Sequence, residues 1–262
     1  MADIFTPTFH KLFSKYREQE RLDSIEHIDE KPTSDYLSNK VMPRGYPVVF
    51  LKSGVAARSE SEVIDILNEH CDDLTIQIRR ATFDSPSQYI TDRQLQTVTM
   101  REYLQGFRNS GLYAGNQKLP EHIEAVLNVT PPSFGDNSIE PPAFWLGAGG
   151  GVTPMHKDST DNFAYQICGT KRWTLFPVRD IPFLYMDRPL ENSDFATSSV
   201  DPMNPNLNEF PLFANARSVV VDLMAGEMLY LPAGWAHHVE NLSTSLMINY
   251  WMSRDHFARS VI

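Results

Sequence analysis

The chain has 262 residues, of which 42% are hydrophobic and 11% aromatic, and its formal net charge at pH 7 is −10. This is the composition of an ordinary soluble globular protein, and no apolar run reaches the roughly 20 residues that a membrane span requires. The acidic balance argues against a nucleic-acid partner, because phosphate contacts need lysine and arginine. It indicates solubility or, alternatively, the attraction of a basic substrate.

The start of the chain, "MADIFTPTFHKLF", lacks the basic residues and the continuous apolar stretch of a secretory signal peptide. The two cysteines, Cys71 and Cys168, form neither a CxxC motif nor a disulfide framework. A cytoplasmic location is therefore the expectation, with no membrane partner.

The first 140 residues are predicted to hold helices and flanking strands. In "FHKLFSKY", apolar residues recur at helical spacing, which predicts an amphipathic helix over residues 9–16, and a polar stretch runs on to about residue 40. Two capping boxes, Ser59 with Glu62 and Thr99 with Glu102, predict the starts of the helices "SEVIDILNEH" and "MREYLQGF". The runs "YPVVFLK" and "LTIQIRRA" are typical of strands.

From residue 143 the pattern changes to short β-rich runs. There are eight of them: "AFWLGA", "VTPMHKD", "NFAYQIC", "KRWTLFP", "SVVVDL", "EMLYL", "AHHVENL" and "SLMINYW". Eight short strands at close spacing predict a sandwich or barrel, including the jelly roll of cupins. The one long break, residues 178–217, is rich in proline and asparagine and is expected to be a lid or binding loop.

A candidate metal site lies in the second of these runs. His156 and Asp158 are two residues apart, so in a strand both side chains project from the same face. Such pairs are common by chance and are often surface residues. A second histidine from a distant strand, His237 or His238, would complete the two-histidine, one-carboxylate set that suits non-haem Fe(II).

At these motifs the sequence resembles a known family. The blocks "TPMHKDSTDNFAYQICGTKRWTLFP", "NPNLNEFPLF", "AGEMLYLPAGWAHHVENL" and "INYW" are similar to those of JmjC-type 2-oxoglutarate oxygenases. The likeness covers residues 143–251 and, more loosely, 99–120. It is greatest to the small asparaginyl, lysyl and arginyl protein hydroxylases, and the tRNA wybutosine hydroxylase is similar over the same stretch. Histone demethylases usually have glutamate where this chain has Asp158, which favours hydroxylation.

The resemblance implies a mainly β fold with flanking helices, a double-stranded β-helix, in one domain over residues 1–262 with its core at 141–253. It implies Fe(II) and 2-oxoglutarate, with O₂ as reactant and succinate and CO₂ as products. By position in the motifs it assigns eight site residues. The iron ligands are His156, Asp158 and His237, and the residues near 2-oxoglutarate are Tyr113, Thr153, Asn162, Lys171 and Asn249.

The residues themselves support Lys171 as the carboxylate anchor. It shares a strand face with Trp173 and Leu175, and a lysine among apolar neighbours is costly unless it is paired. The alternative is that its side chain extends outward from the barrel rim.

The expected partner is a protein, peptide or small-molecule substrate. The alternatives for function are hydroxylation of a metabolite or a tRNA base, and a cupin that binds metal without turnover. The chain stops at Ile262, 11 residues after Trp251, whereas several relatives continue into dimerising helices. A monomer or weak dimer is therefore expected.

Overall fold

A computed structural model describes residues 14–16, 18–86, 88–91, 94–135, 138–189 and 196–253. Fifteen strands are described: β1 Glu26–Ile28, β2 Val48–Phe50, β3 Thr75–Arg80, β4 Gln96–Thr99, β5 Leu112–Lys118, β6 Ala143–Gly147, β7 Val152–Lys157, β8 Asn162–Cys168, β9 Thr170–Phe176, β10 Met186–Pro189, β11 Ala196–Ser198, β12 Val219–Met224, β13 Met228–Leu231, β14 Ala236–Asn241 and β15 Ser245–Trp251. The protein is therefore mainly β, as the sequence predicts.

The helices are short and lie mostly in the first half of the chain. The α-helices are α1 Ser34–Tyr36, α2 Glu60–His70, α3 Gln88–Thr91, α4 Met100–Leu104 and α5 Glu121–Leu127. A π-helical turn, Leu37–Val41, and 3₁₀ turns at Met42–Arg44, Val178–Phe183 and Pro211–Asn215 are also described. In the part of the chain that the structure covers, no helix is long and apolar enough to cross a membrane.

Both predicted capping boxes are present. The Ser59 side chain accepts from the Glu62 backbone N–H while the Glu62 carboxylate accepts from the Ser59 backbone, and Thr99 and Glu102 do the same at α4. The predicted N-terminal helix is covered only at residues 14–16, which are helical, and Phe9, Leu12 and Phe13 lie outside the described residues.

The strands form two sheets that face each other. The larger has nine strands in the order β1-β2-β13-β8-β15-β6-β5-β3-β4, and the smaller has six in the order β10-β11-β7-β14-β9-β12. The eight predicted strands are β6 to β9 and β12 to β15, four in each sheet and all antiparallel to their partners. This is the double-stranded β-helix that the sequence predicts.

The burial pattern of each strand follows its place between the layers. All seven residues of β8 are buried, because apolar side chains from the smaller sheet cover one face and helices α2, α4 and α5 cover the other. In β12 buried and exposed residues alternate, so that the outer face of the smaller sheet meets solvent there. The space between the sheets is thus the interior into which site residues can project.

The segment 178–217 differs from the predicted loop. It contains the strands β10 and β11, and β11 pairs with β7 so that Thr197 lies opposite His156. The segment therefore extends the smaller sheet beside the strand that carries the first candidate ligand. Its proline-rich and asparagine-rich sequence hides these strands because they are only four and three residues long.

Candidate metal centre

Two neighbouring strands of the smaller sheet bring the candidate histidines together. In the β7–β14 pair, His156 lies directly opposite His237, and their ring centroids are 4.1 Å apart. Two residues, Pro154 and Met155, separate Thr153 from His156 on β7. Only one residue separates Val239 from His237, their partners on β14. This bulge lets both Thr153 and His156 face the interior.

Asp158 follows the last residue of β7 and completes the group. His156, Asp158 and His237 each offer one ligand atom, and these atoms lie within 4.8 Å of one another. Both histidines are buried and Asp158 is partly buried. Two imidazole nitrogens and one carboxylate oxygen on one side of a cavity form the donor set of non-haem Fe(II) sites.

The backbone fixes the tautomer of each imidazole. His156 Nδ1 lies 2.8 Å from the carbonyl oxygen of Pro154, and His237 Nδ1 lies 3.1 Å from that of Trp235. A carbonyl only accepts, so each Nδ1 carries the proton and each Nε2 has the lone pair. Burial, the larger influence in both cases, lowers the pKa of His156 and of His237, which keeps these rings neutral and able to ligate a cation.

Two donors hold the Asp158 carboxylate. Trp251 Nε1 donates to its Oδ2 at 2.9 Å and Asn162 Nδ2 donates to the same oxygen at 3.2 Å, while Asn249 orients Asn162 through a 2.7 Å bond. Burial acts to raise the pKa of Asp158, but the two histidines and these hydrogen bonds outweigh it and the pKa is lowered. The group is therefore a carboxylate at neutral pH.

A buried lysine lies at the other end of the cavity. Lys171 is 1% exposed, and its Nζ donates to Tyr113 Oη at 2.8 Å and to Asn241 Oδ1 at 2.6 Å. No carboxylate of the described residues lies within ion-pair distance of it. Burial first and the charge of Arg79 second lower the pKa of Lys171 to about 7. The alternative interpretation of the sequence, in which the Lys171 side chain extends outward from the barrel rim, is wrong.

A second buried cation, Arg79, was not predicted as a site residue. It is 4% exposed, and its guanidinium carbon lies 4.6 Å from the ring centroid of Tyr89 and 4.9 Å from that of Tyr113. Its Nη2 reaches Thr153 Oγ1 at 3.5 Å. Arg79 and Lys171 therefore both lie near the Tyr113 ring, with no carboxylate from the rest of the described chain to neutralise them. Two uncompensated buried cations favour an anionic ligand.

All eight residues singled out in the sequence line one cavity between the two sheets. The complete lining is Tyr113, Trp145, Thr153, His156, Asp158, Asn162, Lys171, Trp173, His237, Val239, Met247, Asn249 and Trp251. Within the described residues, three buried polar atoms of this lining have no hydrogen-bond partner: Trp145 Nε1, Trp173 Nε1 and Asn249 Oδ1. The cavity volume is about 20 Å³, so side chains must move apart to admit a dicarboxylate.

His238 lies on the opposite side of the sheet from His237. His237 and Val239 line the interior cavity, whereas His238 and Glu240 line a different cavity on the outer face. The structure therefore places His237, the histidine that the resemblance assigns, in the interior and His238 on the outer face. Leu242, the residue after this strand, is 41% exposed.

Two mainly antiparallel sheets around an interior His-Asp-His group define a cupin-type protein with a candidate metal site. The chain belongs to the cupin-like domain family, whose model matches residues 33–256. Relatives of the JmjC type agree with the resemblance seen in the motifs.

The curated relatives match the chain over less than half of its length. HSPB1-associated protein 1 of Rattus norvegicus is 43% identical over 120 residues, which are 44% of this chain and 25% of the relative. JmjC domain-containing protein D of Dictyostelium discoideum is 44% identical over 106 residues, 40% of this chain and 23% of the relative. The bifunctional peptidase and (3S)-lysyl hydroxylase JMJD7 of Homo sapiens is 31% identical over 131 residues, 43% of this chain and 42% of the relative. The chain thus spans about a quarter to two fifths of these relatives.

Proposed function

We propose that the protein is an Fe(II)- and 2-oxoglutarate-dependent oxygenase that hydroxylates a side chain of a protein or peptide. The observation that carries this proposal is the interior group of His156, Asp158 and His237 in one cavity with the unpaired buried cation Lys171. The nitrogen and oxygen donors suit a metal ion, and the buried lysine suits the carboxylate of an acid that enters once the side chains move apart.

Fe(II) would be held by Nε2 of the two histidines and by the Asp158 carboxylate. The carbonyl oxygens of Pro154 and Trp235 hold the Nδ1 protons, and Trp251 and Asn162 hold the carboxylate. Outer partners of this kind fix the direction and the protonation of metal ligands.

The distal carboxylate of 2-oxoglutarate would pair with Lys171. Tyr113 and Thr153 supply hydroxyl groups beside it, and Gly147 makes room for Tyr113, because a Cβ at position 147 would lie 2.3 Å from the Tyr113 ring. Arg79 lies behind these hydroxyl groups and adds positive potential without lining the cavity.

Bound Fe(II) with 2-oxoglutarate and O₂ supplies the oxidising power that inserts oxygen into a C–H bond, with release of succinate and CO₂. The chain's own residues bind and orient these reactants and exclude water with Trp145, Trp173 and Val239. No general base is needed among them.

The substrate class rests on the relatives and on charge. JMJD7 is named as a lysyl hydroxylase, and the net charge of −10 favours a basic partner over nucleic acid. A protein or peptide substrate is therefore the version of the proposal to test first.

The test is succinate formation from 2-oxoglutarate with Fe(II), alone and with a protein extract or a metabolite extract. Mass spectrometry of both extracts would then look for products heavier by one oxygen atom. We expect 2-oxoglutarate-dependent succinate and an oxidised polypeptide, and neither with Asp158→Ala. If only a metabolite is oxidised, the substrate is a small molecule and not a polypeptide. If the protein binds iron but forms no succinate in any mixture, it is a cupin without catalytic activity.

A further inference from the structure

A second cavity lies on the outer face of the smaller sheet, behind the metal centre. Its volume is about 420 Å³, and its floor is formed by β7 and β14 through Val152, Pro154, Met155, His238 and Glu240. Its walls are two loops, residues 82–86 and residues 201–203. Since His237 and His238 are consecutive in β14, the two cavities are separated by one layer of backbone.

Contacts within the structure hold both walls in place. The Phe83 ring packs edge-on against Tyr89 at 5.5 Å, and the Thr174 hydroxyl contacts the sulfur of Met203 at 3.9 Å. Asp201 Oδ1 accepts from the Met203 backbone N–H at 2.9 Å. The cavity is therefore built into the fold.

The charge of this cavity has one sign. Its lining includes the carboxylates of Asp84, Asp201 and Glu240 and contains neither lysine nor arginine. Asp84 lies 3.9 Å from Arg80, but Asp201 and Glu240 have no ion-pair partner among the residues described. The nearest cross-strand cation to Glu240 is Arg172, which Asp222 holds through two 2.8 Å contacts.

A buried polar side chain faces the same space. His238 is 6% exposed and lines the cavity, yet its ring has no hydrogen bond to any described residue. The ring is therefore available to a ligand in the cavity, and a neutral imidazole can accept a hydrogen bond from it. The His238 imidazole and the carboxylates of Asp201 and Glu240 together favour a ligand that donates hydrogen bonds and carries positive charge.

From this geometry we infer that the outer cavity binds a basic side chain, lysine or arginine, of a polypeptide partner. The ammonium or guanidinium group would lie between Asp201, Glu240 and His238. The methylene stem would lie along Phe83 and Met203, since long cationic side chains bury their stems on apolar surface. This site is distinct from the metal centre and needs neither Fe(II) nor 2-oxoglutarate.

The test uses the full chain labelled with ¹³C at the methionine methyl groups, since Met155 and Met203 line the cavity. The probes are Nα-acetyl-lysine N-methylamide, the arginine equivalent, and the uncharged norleucine equivalent. We expect a saturable shift of both methyl signals with lysine or arginine and none with norleucine.

The variant Asp201→Asn/Glu240→Gln keeps the shape of the walls and removes two charges. It should weaken binding of the cationic probes by about tenfold or more, since charged hydrogen bonds are lost. Glu209→Gln, an exposed carboxylate outside the lining, is the matched control and should not change binding.

Three results would overturn the inference: equal shifts with lysine and norleucine, no saturable shift with either cation, or undiminished binding to the double variant. The methyl spectrum of each variant without probe shows whether it is folded. Because the measurement uses no metal and no turnover, its failure would leave the proposed oxygenase activity untouched.

Discussion

Replacing Lys171 by methionine is the change that isolates the proposed 2-oxoglutarate anchor. Methionine is similar in length and can remain in the apolar surroundings, so that the loss is mainly one of charge. In the structure Lys171 contacts Tyr113 and Asn241 and none of the three candidate ligands. The variant should therefore fold and should still bind metal.

The size of the effect follows from burial. Removing one partner of a buried charge pair costs about 3–5 kcal/mol, which is about 10²–10³-fold or more in affinity. Because the pKa of free Lys171 is about 7, half of the molecules must take up a proton on binding at pH 7. The need for this proton lowers the wild-type affinity for 2-oxoglutarate by about twofold at pH 7. The affinity of Lys171→Met should therefore still be lower than that of the wild type by about 10²-fold or more.

Intrinsic fluorescence offers the assay, since Trp145 and Trp173 line the cavity and a bound ligand changes their surroundings. Titration with 2-oxoglutarate in the presence of Mn²⁺ gives the dissociation constant for each variant, and metal content is measured separately. Lys171→Arg keeps the charge and controls for shape. An unchanged dissociation constant in Lys171→Met would refute Lys171 as the anchor.

Four further results are expected. Asp158→Ala should lose metal, measured as iron per chain after loading, because two histidines alone make a weak site; full iron content would refute the assignment. His237→Ala should lose iron and succinate formation, whereas His238→Ala should keep its iron, and the reverse outcome would place the strand register off by one residue. The affinity for 2-oxoglutarate should be highest below pH 7 and fall as the pH rises through the pKa of Lys171, by up to about tenfold per pH unit, because binding needs the protonated amine. Arg79→Met should shift that fall to higher pH, since its charge lowers the pKa of Lys171, and a profile that does not move would exclude this role.

The fold of the second half could be predicted because its strands are regular and their ends are marked. At Gly169 the backbone has φ of +71°, and a Cβ would lie 1.9 Å from the carbonyl oxygen of Thr244, so this turn needs glycine. Strands β10 and β11 escaped prediction because their pairing with each other and with β7 depends on tertiary contacts. Three-residue strands carry too little alternation to be recognised.

The His-x-Asp pair could be read from its spacing, and the family resemblance selected His237 over His238, whereas neither signal pointed to Arg79. It alternates with Ile78 in β3 and shares the polar face of Gln77, which is exposed. Its burial comes from Phe83 and Tyr89 in the segment that follows the strand, and from Tyr113 on β5. Such cover from distant rings leaves no periodic signal in the sequence.

The most direct test of the account is whether metal and 2-oxoglutarate bind in one shared cavity. Equilibrium dialysis of labelled 2-oxoglutarate without oxygen, with and without Fe(II), measures this for the wild type, Asp158→Ala and Lys171→Met. If the cavity is shared, Fe(II) tightens binding of 2-oxoglutarate to the wild type, Asp158→Ala loses only the Fe(II)-dependent part, and Lys171→Met binds weakly under both conditions. Equal affinity of the wild type with and without Fe(II), or tight binding by Lys171→Met, would contradict it.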